Sequence, residues 1–376
     1  MNIPLLKKLD AVIGKLSATI FSPPVRRELS FPLASLLLIR PGGIGDAVLL
    51  APLIQNIKIT YPEIHITVLA EQRNAGVFSL IPAVGHLLCY DRPRDLFQAL
   101  HGSYDVVIDS EQWHRLSAVV ARFAAAPVKV GFDTNERRRM FTHTIPYSHD
   151  DYETASFNRL LEPLGIEPGE GETATPFLII PDAVSGKAAS LLESLHNQPF
   201  VAVFPGASIP ERRWGADRFH EGAELLSAFG IKVVVVGGKE DRQSGDVIVG
   251  GEMGLNLAGL TSLAETAAVI QKSALLLSGD SGVLHIGVGL GVPTVSLFGP
   301  GRAKKWAPQG EHHIVINKGL DCSPCTTFGT TPPCPIAARC MRDIAVDEVA
   351  NAVTMLLTSL GAMPSCSCKR DWIETR

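Results

Sequence analysis

The residues best suited to chemistry in this chain sit in glycine-rich turns that also carry acids, arginines and one histidine. The run RPGGIGDAVLLAP, residues 40–52, places Gly42, Gly43 and Gly45 around Asp46, directly after the apolar residues 36–39 and at the start of a helical pattern. Such a turn offers bare backbone N–H groups to a polar ligand. A carboxylate at its mouth can cap the helix, accept a proton, or do both. Three further turns follow apolar runs: PGASIPERRW (205–214) with Ser208 and Arg212, GGKEDR (237–242) with Glu240, and GDSGVLH (279–285) with Asp280, Ser281, Gly282 and His285. Singly, each is ordinary tight-turn composition. Together, with Arg212, Arg213 and Arg242 among them, they favour a phosphorylated ligand. For Asp280–His285 two readings stay open: a capped helix over a satisfied histidine, or a helix N-terminus cradling a diphosphate.

Four cysteines form C-x₂-C-x₈-C-x₅-C: Cys322, Cys325, Cys334 and Cys340. Their spacing suits a structural zinc site. Reduced structural thiols and a redox or disulfide role are the other two readings. Cys366 and Cys368 lie near the C-terminus and add little.

These turns need elements to hold them. From residue 35 apolar runs alternate with helical patterns: 36–40, 65–69, 86–91, 104–110 and 128–133, with helices predicted at 46–60 and 72–80. The runs are nearly continuous, as expected of parallel strands covered on both faces. The alternation fades after 133, where Arg137, Arg138 and Arg139 cluster. Residues 165–176 read as a linker or long loop. A second alternation follows through 200–206, 232–238, a short strand near Leu257, 274–280 and 293–299. The expected fold class is α/β, with two doubly wound, Rossmann-like domains facing across a cleft. The expected boundaries are 1–34 for an amphipathic helix and linker, 35–178 and 179–350 for the two domains, and 351–376 for a helix and tail. Ligands of such sheets bind beyond the carboxyl ends of the strands, which predicts a site in the cleft.

With 376 residues, two domains are the natural division. The net charge of −4 carries no basic footprint for nucleic acid. Residues 1–40 nevertheless hold six basic residues against two acidic ones, leaving −8 on the rest. Residues 4–20 place Leu5, Leu6, Leu9, Val12, Ile13, Leu16 and Ile20 at helical spacing, with lysines on the other side. This helix either packs on the protein's own surface or lies on an anionic membrane. Lys7 and Lys8 interrupt any signal-peptide core, no stretch is long and apolar enough to span a bilayer, and seven unevenly placed cysteines suit a reduced compartment. The expected location is cytoplasmic, peripheral on the inner membrane if the helix docks there.

The turns taken together resemble glycosyltransferase family 9, the ADP-heptose:lipopolysaccharide heptosyltransferases, over about residues 35–345. The strand followed by R-x-x-G-x-G-D, the PGAS…W segment ending at Trp214, the D-S-G-x-x-H of Asp280–His285 and the G-x-P-x-x-x-L-F-G-P of 291–300 occur in the family's order. The resemblance implies a GT-B fold and an inverting, metal-independent transfer of heptose from ADP-heptose to a lipid-linked, lipopolysaccharide core-type saccharide. It implies Asp46 as the general base, with Gly42, Gly43 and Gly45 on the acceptor side. It places the nucleotide sugar against Ser208, Arg212, Asp280, Ser281, Gly282 and His285, with Glu240 at the ribose. The family's lysine two residues before the tryptophan is Arg212 here. Arginine can fork onto a diphosphate but is not equivalent to lysine, so another nucleotide sugar and a different surface glycan stay open. A nicotinamide dehydrogenase is disfavoured because Val48 stands where the third glycine of G-x-G-x-x-G is needed. A catalytically silent sugar-nucleotide binder is disfavoured by the intact Asp46 and His285.

Overall fold

The computed structural model describes residues 10–26, 28–167 and 175–363. Leu5, Leu6 and Leu9 of the predicted N-terminal helix, most of the predicted linker, and Cys366 and Cys368 lie outside the described residues. The chain divides into two units, Met1–Ile179 and Ile180–Arg376.

The first unit is built on strands β1 (Ser35–Arg40), β2 (His65–Ala70), β3 (His86–Cys89), β4 (Val106–Asp109), β5 (Val128–Phe132) and β6 (His143–Ile145). They form one parallel sheet in the order β3-β2-β1-β4-β5-β6. β1 is buried at every position after Ser35, as a strand covered on both faces must be. β6 is only three residues long, which is why the alternation fades before it. The predicted helix 46–60 is two helices, Ile44–Leu49 and Ala51–Thr60. Pro52 sits in the first turn of the second, where it has no N–H to donate and its ring crowds the carbonyl four residues back.

The second unit repeats the plan with β7 (Phe200–Phe204), β8 (Lys232–Val235), β9 (Gly254–Asn256), β10 (Leu275–Gly279), β11 (Thr294–Phe298) and β12 (His313–Asn317). The order is β12-β11-β10-β7-β8-β9, again parallel throughout. Its core gathers Val201, Val233, Val235, Leu277 and Leu297 with Val349, Val353, Leu356 and Leu357 of the helix Val346–Ser359. In each sheet the winding reverses once, between β1 and β4 and between β7 and β10. The crevice beyond the carboxyl ends of those strand pairs is the place this architecture leaves open.

The N-terminal helix is described over Asp10–Gly14 and Lys15–Ile20. Asp10 Oδ1 accepts the backbone N–H groups of Arg115 and Leu116 at 2.6 and 2.8 Å, capping the helix Arg115–Phe123 from outside. Of the predicted apolar stripe, Val12, Leu16 and Ile20 are 68%, 60% and 67% exposed. The helix is held by this polar contact and, just past its other end, by Phe21, whose ring meets Phe123 edge-on at 5.2 Å, while Val12, Leu16 and Ile20 face out. No described helix is long and apolar enough to cross a membrane.

Candidate active site

In the first unit the reversal point brings together the ends of β1 and β4. Arg40, the last residue of β1, is 2% exposed. Its Nε donates to the Pro41 carbonyl at 2.7 Å, Nη1 to the Ser110 carbonyl at 2.8 Å and Gln112 Oε1 at 3.3 Å, and Nη2 to Glu111 Oε2 at 3.0 Å. Nη1 also lies 3.9 Å from Asp46 Oδ1. Burial by itself lowers the proton affinity of Arg40, but Asp46, Glu111, Glu153 and Asp109 outweigh it and hold the guanidinium more firmly charged than usual. Burial likewise pushes the Glu111 carboxyl up, and Arg40, His114 and Arg137 more than reverse this, leaving it below the usual carboxylate range. Glu111 Oε1 accepts the backbone N–H groups of Trp113 and His114. The Arg40–Glu111 pair is therefore a satisfied, ionised strut beneath the turn.

Asp46 stands on that strut. It does not cap its helix: the N-cap is Gly43, with no side-chain cap bond. Its Oδ1 instead accepts Gln112 Nε2 at 2.8 Å, and its side chain is 21% exposed. Gly42 has φ +108°, a conformation few side chains tolerate. A Cβ on Gly43 would fall 2.9 Å from Asp46 Oδ2, so this glycine makes room for the aspartate's own carboxylate. Gly45 lies within the helix Ile44–Leu49. Gln112 Nε2 also donates to Glu153 Oε1 at 2.6 Å, and Glu153 Oε2 accepts the Tyr147 hydroxyl at 3.0 Å. Burial and then Glu153 push Tyr147 well above the ordinary phenol range, so it stays a donor.

Of the arginine cluster at 137–139, Arg137 is fully buried and bonds Asp109 Oδ2 at 2.7 Å. It braces the sheet and does not face a ligand.

In the second unit Arg212 and Asp280 meet at the corresponding reversal point, with Nη1 3.2 Å from Oδ2. The contact is an ion pair without hydrogen-bond alignment: Asp280 Oδ2 and Arg212 Nε are buried and have no hydrogen-bond partner among the described residues. Burial pushes the Asp280 carboxyl up, against the pull of Arg212. Trp214 anchors the loop, its Nε1 donating to the Ile344 carbonyl at 3.0 Å. Ser281 is the N-cap of the helix Gly282–Gly289, its Oγ accepting Leu284 N at 3.2 Å. His285, in the first turn, is 3% exposed, and its Nδ1 has no partner among the described residues. Burial lowers its pKa to about 4, so it is neutral at physiological pH.

Ser208 and Glu240 are exposed, and no described contact joins them to this group. Next to Glu240, Asp241 is buried and its Oδ2 accepts Gly238 N at 2.9 Å, which holds the β8 turn.

The structure lends the zinc reading no support. No group of three or more His, Cys, Asp or Glu among the described residues is arranged to hold a metal ion. Cys322, Cys325, Cys334 and Cys340 line one small cavity. Cys340 lies in the core, Cys322 is exposed, and Cys334 Sγ accepts Ala338 N at 3.2 Å. Burial, with neighbouring thiols adding to it, pushes the Cys325 and Cys340 thiols up.

Sequence reasoning passed over Glu111, Gln112 and Glu153. The signal for the first two was present, since EQW directly follows the predicted strand 104–110. Using it requires knowing that this strand lies beside β1. Glu153 begins the short helix Glu153–Asn158, in the stretch where the pattern had faded.

Residues 94–334 match the model of glycosyltransferase family 9 (heptosyltransferase). The chain is 26% identical over 298 residues to lipopolysaccharide heptosyltransferase 3 of Escherichia coli, covering 73% of this chain and 86% of that one. The fold is similar to that of the family 9 glycosyltransferase of Veillonella parvula, at 22% identity and TM-score 0.76 over 89% of this chain and 100% of that one. It is also similar to the Escherichia coli ADP-heptose lps heptosyltransferase II, at 22% identity and TM-score 0.71 over 87% and 100%. Over nearly two thirds of its length, and through the Arg212 and Asp280 loops, the chain belongs to glycosyltransferase family 9, and it is a glycosyltransferase of GT-B fold.

Proposed function

We propose that this glycosyltransferase moves a heptose from ADP-heptose to a lipopolysaccharide core-type acceptor, with inversion and without a metal ion. The acceptor hydroxyl oxygen forms a bond to the anomeric carbon as the bond from that carbon to the diphosphate oxygen breaks. The hydroxyl proton passes to Asp46, and ADP leaves with the electron pair. Arg212 and the N-terminus of the helix Gly282–Gly289 supply positive potential for the leaving diphosphate, the part a cation plays elsewhere. The Arg212 side chain is 17% exposed, and its Nε has no partner among the described residues.

The observation that carries this reading is the exposure of Asp46. Glu111 and Glu153 beside it are 5% and 0% exposed, while the Asp46 side chain is 21% exposed. It is the carboxylate of this group that a hydroxyl can reach. The names of the relatives support heptose as the cargo and lipopolysaccharide as the acceptor. A transfer assay with isotope-labelled ADP- and UDP-sugars, with the anomeric configuration of the product read by NMR, tests the proposal. Inverted product from ADP-heptose is expected; no turnover with any ADP-sugar sinks the heptose reading. Turnover with a UDP-sugar alone would instead support the second reading, which Arg212 in place of lysine keeps open.

The exposed Val12, Leu16 and Ile20, with the basic excess of residues 1–40, support docking on an anionic bilayer at the cytoplasmic face, where a lipid-linked acceptor would be met.

A further inference from the structure

Gln112 is the neutral member of a charged group comprising Arg40, Asp46, Glu111 and Glu153. Its orientation is set from one side: Arg40 Nη1 donates to Oε1 at 3.3 Å, which forces the amide nitrogen toward the carboxylates. Each of the two N–H bonds then finds one acceptor, Asp46 Oδ1 at 2.8 Å and Glu153 Oε1 at 2.6 Å. No other side chain can play this part: arginine and lysine accept nothing, a carboxylate donates nothing when ionised, and asparagine is one methylene short. The residue is 7% exposed, so water is a poor substitute.

The structure assigns Gln112 as the positioning residue of the transfer reaction, holding Asp46 by one oxygen so that the other faces the acceptor hydroxyl. This rests on the reading of Asp46 as the base. Asp46 Oδ2 accepts no hydrogen bond among the described residues, and it points over Gly43. Gln112 also separates two like charges. Without it Asp46 and Glu153 lose the donor they share, and the contact left to Asp46 is Arg40 at 3.9 Å. Groups facing Asp46 and Glu153 include Arg40 from β1, Glu111 and Gln112 from the loop after β4, and Tyr147 from the segment after β6.

The test compares Gln112→Met, which keeps length and loses both donors, with Glu153→Gln, which removes the second charge and keeps an acceptor for Gln112. Steady-state rates are measured against pH with ADP-heptose, on proteins checked by circular dichroism. Gln112→Met is expected to lower kcat by about 10–100-fold, leave the donor KM within about twofold, and move the acidic limb of kcat/KM to higher pH, because a carboxylate that loses a donor is protonated more readily. Glu153→Gln is expected to move the same limb to lower pH. A folded Gln112→Met protein with an unmoved limb, or with its loss confined to donor KM, overturns the assignment. If that variant does not fold, an unmoved limb in Glu153→Gln overturns it instead. Asp46→Asn separates the two levels. If Asp46→Asn still transfers, the base reading fails and the assignment with it. If Asp46→Asn is inactive while the limbs stay put, only the assignment fails.

Discussion

Arg212 and Asp280 lie far apart in sequence, yet their side chains meet at 3.2 Å. The reason is topological: one follows β7, the other follows β10, and these neighbours are the pair at which the second sheet reverses its winding. Asp46 and Gln112 stand in the same relation after β1 and β4. Each unit thus builds its polar group at the same address, one around a carboxylate able to take a proton and one around a guanidinium able to hold a phosphate.

Replacing Asp46 with Asn keeps the shape and removes the base. Transfer is expected to fall by about 10²–10⁴-fold, with ADP affinity measured by calorimetry unchanged, because ADP is assigned to the second unit. Unchanged transfer would remove Asp46 as the base.

Arg212→Ala removes the charge assigned to the diphosphate and leaves Asp280 buried without its partner. The donor KM is expected to rise at least about tenfold, with Arg212→Lys recovering part of it, since a single ammonium replaces a fork. Titration of ADP binding in both variants checks this, and equal affinity in Arg212→Ala and wild type would place the phosphates elsewhere.

Arg40→Met leaves Glu111 ionised and buried with its main counter-charge gone. A loss of about 3–5 kcal/mol is the usual consequence of such a deletion. Denaturant unfolding of the single variant and of Arg40→Met with Glu111→Gln measures it, and the double variant should recover stability. A single variant as stable as wild type would show that the strut is not structural.

His285 has a pKa of about 4 when folded, against about 6.5 for a free imidazole. Between those values the unfolded chain binds the extra proton, so stability rises with pH there and falls as the pH drops from about 6.5 toward 4. From pH 7.5 to 5 the histidine is expected to account for about 2 kcal/mol of lost stability. His285→Gln should flatten that part of the stability profile of the second unit, and an unchanged slope would count against a neutral buried imidazole.

Leu16→Glu places a charge in the middle of the exposed stripe. Wild-type protein should co-sediment with vesicles containing anionic phospholipid more than with neutral ones, the effect weakening in salt. The variant should lose that binding at unchanged thermal stability. Equal sedimentation of the two proteins would exclude the stripe as the docking face.

Much of this was legible along the chain. The strand runs were visible because residues buried on both faces of a parallel sheet must be apolar, and the loops at their ends because tight turns need glycine. Both are local requirements. Asp46, Arg212, Asp280 and His285 could therefore be picked out as candidates, and the order of the motifs identified the family. The sequence by itself determined two α/β units, the turns that carry the polar groups, and the family to which they belong. Only the tertiary structure decided that Asp46 is not a cap, that Gln112 and Glu153 stand beside it, that the four cysteines line one cavity, and that Val12, Leu16 and Ile20 face outward. Strand order is the physical reason. Which loops become neighbours depends on how the strands pair across the sheet, and that pairing leaves no periodic mark on the residues it brings together.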